Sequence, residues 1–213
     1  MTFKRYERGA RLYDVLSGEA LVYRAGRTAG VELLSLRPGD IVLDLGCGTG
    51  LTLPLLVNAV GPTGHVIGLD RSSAMLAVAR RRVTTHNWLN VTLVNADATD
   101  FTAADLRVND ADQDAPALDA VISTYAMSVF ADWRAAWDCA RSVLKPGGRA
   151  CIVDMQVPTG PAVLFAPLAR LACATGGSDI NAHPWTIIEV SGTNVTRRSL
   201  RGGHVQAVAA TIP

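Results

Sequence analysis

The chain alternates short apolar runs with stretches whose hydrophobic positions recur at helical spacing. Ile41-Val42-Leu43-Asp44-Leu45, Val66-Ile67-Gly68-Leu69-Asp70 and Val91-Thr92-Leu93-Val94-Asn95-Ala96-Asp97-Ala98 are short, apolar and rich in β-branched residues, so they predict buried parallel strands. Leu118-Asp119-Ala120-Val121-Ile122-Ser123 predicts a fourth. A fifth follows Leu144-Lys145-Pro146-Gly147-Gly148-Arg149, where Pro and Gly end a helix and reverse the chain. Helices are predicted between them. Leu51 to Val60 tolerates Pro54 in its first turn, and Ser72 caps a helix with the stripe Met75, Leu76, Ala79 and Val83. Asp132 caps another, with Trp133, Ala136, Trp137, Ala140 and Leu144 facing the core. Beyond the fifth strand, Ala162 to Ala174 reads as a helix and Gly176 to Asn181 as a loop. Thr193 to Leu200 and His204 to Ile212 then form a hairpin around Arg201-Gly202-Gly203. Residues 1 to 40 are expected to be helical. Strand and helix in alternation make a doubly wound α/β sheet, mostly parallel, closed by an antiparallel hairpin.

The chemistry gathers at strand ends. Three glycines, Gly46, Gly48 and Gly50, follow the first strand and let the backbone turn sharply and approach a ligand. The second strand ends in Asp70, whose carboxylate can accept both hydroxyls of a ribose. The spacing differs from the G-x-G-x-x-G of dinucleotide sites, and Asp44 stands just before the turn. An acid there repels a pyrophosphate but suits a cationic ligand.

Asp44-x-Gly46-x-Gly48-x-Gly50 resembles motif I of the class I S-adenosylmethionine (SAM) dependent methyltransferases, and further segments between residues 41 and 154 match in order and spacing. The resemblance implies a Rossmann-like, seven-stranded fold and methyl transfer to a small-molecule or lipid-like acceptor at nitrogen, oxygen or carbon, leaving S-adenosylhomocysteine (SAH). It implies that Asp44 and the loop Gly46, Cys47, Gly48 and Gly50 hold the methionine moiety, and Asp70 the ribose. Asp97 and Ala98 would take the adenine, with Arg71 and Met75 flanking its plane. Ser123, ending the fourth strand, joins this cofactor-binding set. Thr124-Tyr125-Ala126-Met127 matches the place where the family presents residues to the methyl group. Tyr13-Asp14 and Gly26 to Leu34 look like the lead-in of the quinone-biosynthesis methyltransferases and the phospholipid and betaine-lipid N-methyltransferases, which implies that Tyr13 lies over SAM, with Tyr6 and Tyr23 as alternatives. The whole chain then reads as one methyltransferase domain: a helical lid over 1–40, a SAM-binding core over 41–154, an acceptor-side insert over 155–191 and a hairpin over 192–213.

Composition narrows the reading further. With 213 residues and 49% hydrophobic content, the chain can bury one substantial core. A net charge of +1 leaves no broad basic field for nucleic acid, and Arg80-Arg81-Arg82 reads as a solvated helix end. Cys47, Cys139, Cys151 and Cys173 form no C-x-x-C pair, which with the absence of a signal-peptide pattern leads us to expect a cytoplasmic protein. No apolar run is long enough to span a bilayer, while peripheral membrane contact through Val163-Leu164-Phe165 and Leu168 to Leu171 stays open. Asp110 to Asp114 imitates a calcium loop but lacks its glycine and final glutamate. The four histidines show no metal-ligand spacing, so no metal is expected. Tyr125 is the first candidate to touch the acceptor and His183 the candidate general base. Two other readings compete: an NAD-dependent oxidoreductase, disfavoured by the glycine spacing, and a SAM-binding subunit without catalysis.

Overall fold

The computed structural model describes residues 23–108 and 117–213. Tyr6, Tyr13 and the Asp110–Asp114 loop lie outside the described residues. In chain order the regular elements are α1 (Arg24–Leu34), β1 (Ile41–Leu45), α2 (Leu53–Val60), β2 (His65–Asp70), α3 (Ser73–Thr85), β3 (Val91–Asn95), β4 (Leu118–Thr124), α4 (Trp133–Ser142), β5 (Leu144–Met155), α5 (Ala166–Gly176), α6 (Thr186–Ser191), β6 (Thr193–Leu200) and β7 (Val205–Thr211).

They build one seven-stranded sheet in the order β3-β2-β1-β4-β5-β7-β6. β1 to β5 run parallel, and β7 lies antiparallel to both of its neighbours, β5 and β6, as the pattern predicted. The order reverses between β1 and β4, and at such a switch point the crevice at the carboxyl ends of the strands is where α/β sheets bind ligands. Alternate strand residues supply two apolar layers. Val42, Val66, Ile122 and Val153 pack under α1 and α2 with Leu34, Leu53 and Leu56, whereas Leu43, Ile67 and Val121 pack under α4 with Ala136 and Ala140. Trp137, Trp185 and Ile188 extend the second layer over β5 and β7, which places Trp137 in the core as expected. Each fully buried Leu, Ile or Val contributes about 1.5–3 kcal/mol.

The two predicted caps form, Ser72 Oγ accepting from Met75 N–H at 3.3 Å and Asp132 Oδ1 from Ala135 N–H at 3.0 Å. Several boundaries differ from the sequence reading. α4 stops at Ser142, and Leu144 belongs to β5. Pro146-Gly147 therefore interrupts a strand instead of ending a helix: the register with β4 jumps from Leu118–Leu144 to Ala120–Arg149, and Gly147 takes φ +76° in the bulge. β3 ends at Asn95, so Asp97 and Ala98 stand in the following loop. The helix expected from Ala162 begins as a 3₁₀ turn, Gly160–Phe165, before α5. α6 was not legible at all. Its six residues carry no cap signal, and it forms because Ile188 and Trp185 are buried against β7.

Candidate functional site

The glycine loop lies over the end of β2. The amides of Gly46 and Cys47 both donate to the Leu69 carbonyl, at 2.8 and 2.9 Å, and the Gly48 amide donates to Asp70 Oδ2 at 2.9 Å. Gly46 has φ +75°, and a Cβ there would come within 2.4 Å of the Ala126 Cβ. Gly48 has φ +55° and faces open space, so its backbone is the part of the loop that a ligand can approach. Asp70 Oδ1 also accepts from Ser72 N–H at 2.8 Å. The carboxylate thus organises the loop with one lone pair on each oxygen and keeps others for a ligand. Burial raises its pKa, against the pull of the Ser72 and Gly48 amides and Arg71.

Asp44 is the decisive group. Its side chain is fully buried at the end of β1, and among the described residues neither carboxylate oxygen has a hydrogen-bond partner. A buried acceptor left unpaired costs roughly 1–3 kcal/mol, more when charged, so such a group points to a ligand that completes it. Burial lifts its pKa from 3.8 to about 7; Arg27 opposes the shift and Asp70 adds to it. A ligand carrying positive charge fits this carboxylate; a pyrophosphate does not.

Arg27 is a site residue that the sequence reading missed. It projects from α1 to donate to Thr52 Oγ1 at 3.2 Å and Thr124 Oγ1 at 2.5 Å, and its guanidinium lies 5.0 Å from the centre of the Tyr125 ring. The available signal was a cation set among Gly26, Thr28, Ala29 and Gly30, small residues that let α1 approach the sheet. Arg82, read from sequence as part of a solvated cluster, turns back to donate to the Thr49 carbonyl of the glycine loop at 3.3 Å.

The remaining candidates spread along the same edge. Asp97 Oδ1 accepts from the Thr99 amide and hydroxyl at 3.0 and 2.8 Å, and Oδ2 lies 3.5 Å from Arg71 Nη1. Those partners, the Thr99 amide foremost, hold its pKa below the usual carboxylate range. Met75, on α3, and Ala98, in the loop after β3, are both buried. Ser123 donates its hydroxyl to the Leu45 carbonyl at 2.9 Å, bracing β1 against β4. Cys47 is buried, with its thiol pKa pushed well up by desolvation and by Asp44 and Asp70, which makes it an inert wall and not a nucleophile. Asp119 lies at the opposite edge of the sheet, engaged by Ile41 N–H and Lys145, both at 2.8 Å. Among the described residues no group of three or more His, Cys, Asp or Glu is placed to hold a metal ion.

Tyr125 follows β4 with φ +58°, a left-handed conformation uncommon outside glycine and frequent at functional positions. Its hydroxyl donates to the Tyr23 carbonyl at 2.9 Å and its ring lies 4.8 Å from that of Tyr23, so it anchors the start of α1 over the site. Tyr125→Phe is therefore expected to lower stability by about 1 kcal/mol, the worth of one part-buried hydrogen bond, in urea denaturation. An unchanged midpoint would contradict that anchoring role. His183 stands in the loop between α5 and α6 with φ +46°, its ring 5.0 Å from that of Trp185. It is not brought together with Asp44, Arg27 or Tyr125 by any hydrogen bond or ring contact among the described residues.

The profile of the methyltransferase domain matches residues 42–148, a span that contains the glycine loop, Asp44, Asp70, Asp97 and Tyr125. The chain belongs to the class I SAM-dependent methyltransferases. This methyltransferase is 33% identical over 150 residues to an arsenite methyltransferase of Halobacterium salinarum, covering 69% of this chain and 36% of that protein. It is 34% identical over 159 residues to a 2-phytyl-1,4-naphtoquinone methyltransferase of Synechococcus elongatus, covering 73% and 64%. The chain thus spans less than two thirds of either relative. A crystal structure of a SAM dependent methyltransferase from Aquifex aeolicus shares the fold with a TM-score of 0.64 at 20% identity, over 92% of this chain and 93% of that one. Among the described residues of the methyltransferase, no helix is long and apolar enough to cross a membrane.

Proposed function

We propose that this methyltransferase uses SAM to methylate a small, apolar, lipid-like acceptor, of the kind that its naphtoquinone-methylating relative takes. The observation that carries the cofactor half is the unpartnered Asp44 carboxylate beside the open Gly48 backbone. SAM supplies an electrophilic methyl on a sulfonium centre, together with a cationic amino group. Asp44 would hold that positive charge, Arg27 the methionine carboxylate, Asp70 the ribose hydroxyls, and Asp97 with Arg71 and Met75 the adenine. Alignment and exclusion of water are then the main work left to the protein. Tyr125 and the 155–191 insert wall the acceptor side, with His183 the base in reserve where an acceptor needs to lose a proton. Arsenite fits the described residues poorly, because arsenic(III) seeks converging thiolates. Cys47, Cys151 and Cys173 are buried and no three-ligand group exists among the described residues.

Turnover of radiolabelled SAM over a panel of acceptors tests this reading. A demethylated naphthoquinone with an isoprenoid tail, phosphatidylethanolamine and arsenite would separate the acceptor classes. Transfer to the quinone precursor supports the proposal, and transfer to arsenite alone overturns its acceptor half. Binding of SAM with no turnover on any acceptor favours a non-catalytic subunit, and binding of NADH in its place overturns the cofactor half. Chelation with EDTA is expected to leave turnover intact, since displacement at a sulfonium needs alignment and no Lewis acid. Loss of activity on chelation that magnesium restores would show a metal requirement.

A further inference from the structure

Five of the large exposed apolar side chains fall within nine consecutive residues: Val163, Leu164, Phe165, Leu168 and Leu171. Leu164 is 82% exposed, and Phe165 and Leu168 are each 65% exposed. Leu164, Leu168 and Leu171 recur at helical spacing, while the buried residues of α5 are Ala169 and Cys173, on its other side. The stripe therefore points away from the sheet. A contiguous apolar face of this kind marks an interaction surface.

What surrounds the stripe indicates what it meets. Arg170 stands on α5 between Leu168 and Leu171. Arg201 opens the turn between β6 and β7, and that turn is docked on the apolar segment. A Cβ on Gly202 would lie 2.3 Å from the Ala162 Cβ, and Thr159 N–H donates to the Gly202 carbonyl at 2.9 Å. Arg24, at the start of α1, lines with Arg201 a surface hollow of about 420 Å³. The acid in that hollow, Glu32, is paired with Arg198. Arg24, Arg170 and Arg201 have no ion-pair partner among the described residues. An apolar stripe bordered by uncompensated arginines is complementary to an anionic bilayer surface, whose phosphates take the cations while its acyl boundary takes the leucines.

We propose that the Gly160–Gly176 segment, with Arg24, Arg170 and Arg201 at its border, docks this protein on the surface of an anionic lipid bilayer. The end of β5, the β6–β7 turn and the start of α1 all lie at the carboxyl edge of the sheet, where Asp44 and Asp70 also lie. Docking brings that edge to the membrane. The proposal is read from the surface and holds whether or not the methyl acceptor is itself a lipid.

Co-sedimentation of the full chain with vesicles tests it, comparing phosphatidylglycerol mixed into phosphatidylcholine with phosphatidylcholine alone. The protein is expected to pellet with the anionic vesicles, less so at high salt, and Leu164→Asp and Arg201→Glu are each expected to weaken that binding by roughly tenfold. Both residues are exposed, and an unchanged affinity for SAH confirms that the variants remain folded. Three results would overturn the proposal: no binding to anionic vesicles, binding by both variants as tight as that of the wild type, or a dimer in light scattering that Leu164→Asp dissolves while vesicles are ignored. None of these readouts uses turnover, so failure here leaves the methyl-transfer proposal standing.

Discussion

Asp70→Ala should weaken SAH binding by about 2 kcal/mol or more, roughly thirtyfold, in isothermal titration. Two losses combine. The carboxylate accepts from Gly48 and Ser72 amides, so its removal leaves two loop donors unpaired, and it also withdraws the charged acceptor available to the ribose. A 2′-deoxy analogue of SAH separates them. Wild-type protein should bind the analogue worse than SAH, whereas Asp70→Ala should bind the two about equally, because a ribose contact that is already gone cannot be lost twice. If the analogue loses as much affinity in the variant as in the wild type, Asp70 organises the loop and does not hold the ribose.

The second large effect concerns Asp44 and pH. In the free protein burial places its pKa at about 7, so near neutral pH the group is about half protonated. A cationic ligand beside it favours the ionised form and lowers that value, so binding below pH 7 must release a proton. The sign follows: affinity for SAM rises as pH rises, falls as pH drops below about 7, and changes by about tenfold between pH 8 and pH 6. The free protein should respond in the opposite sense. A carboxyl whose folded pKa lies above its ordinary 3.8 contributes stability at low pH that is lost as pH rises towards about 7. Titration calorimetry in buffers of different ionisation enthalpy counts the released proton directly. Asp44→Asn should bind SAM about thirtyfold more weakly and flatten the pH dependence. A steep dependence that survives in Asp44→Asn would assign the proton elsewhere. Asp154, also buried and raised to about 6, is the first alternative, although its carboxylate already accepts hydrogen bonds from the Ser128 amide and hydroxyl and the Met155 amide.

The parallel strands and their order along the chain follow from the sequence because each is a short, nearly continuous apolar run, which a sheet covered on both faces buries at β1, β2 and β4, whereas β3, at the edge of the sheet, is only half-buried. The cofactor class was legible for a related reason. Glycine at three alternating positions beside a single acid restricts both backbone path and ligand charge; in the structure the Asp44 carboxylate is buried without a hydrogen-bond partner among the described residues, and Gly48 faces open space. Tertiary structure decided the rest. Arg27 reaches the site only because Gly26 and Gly30 let α1 press onto Tyr125 and Val153, a contact between segments far apart in the chain. That the Tyr125 hydroxyl is donated to the Tyr23 carbonyl, 102 residues away in the chain, is likewise a tertiary contact. Arg82 read as a solvated charge and serves the glycine loop, since a long side chain can reach back along its helix. The leucines of 163–171 carry the same helical spacing that a buried stripe would. Periodicity states which residues share a face, and only the packing of Ala169 and Cys173 against the fold determines that this face is turned outward.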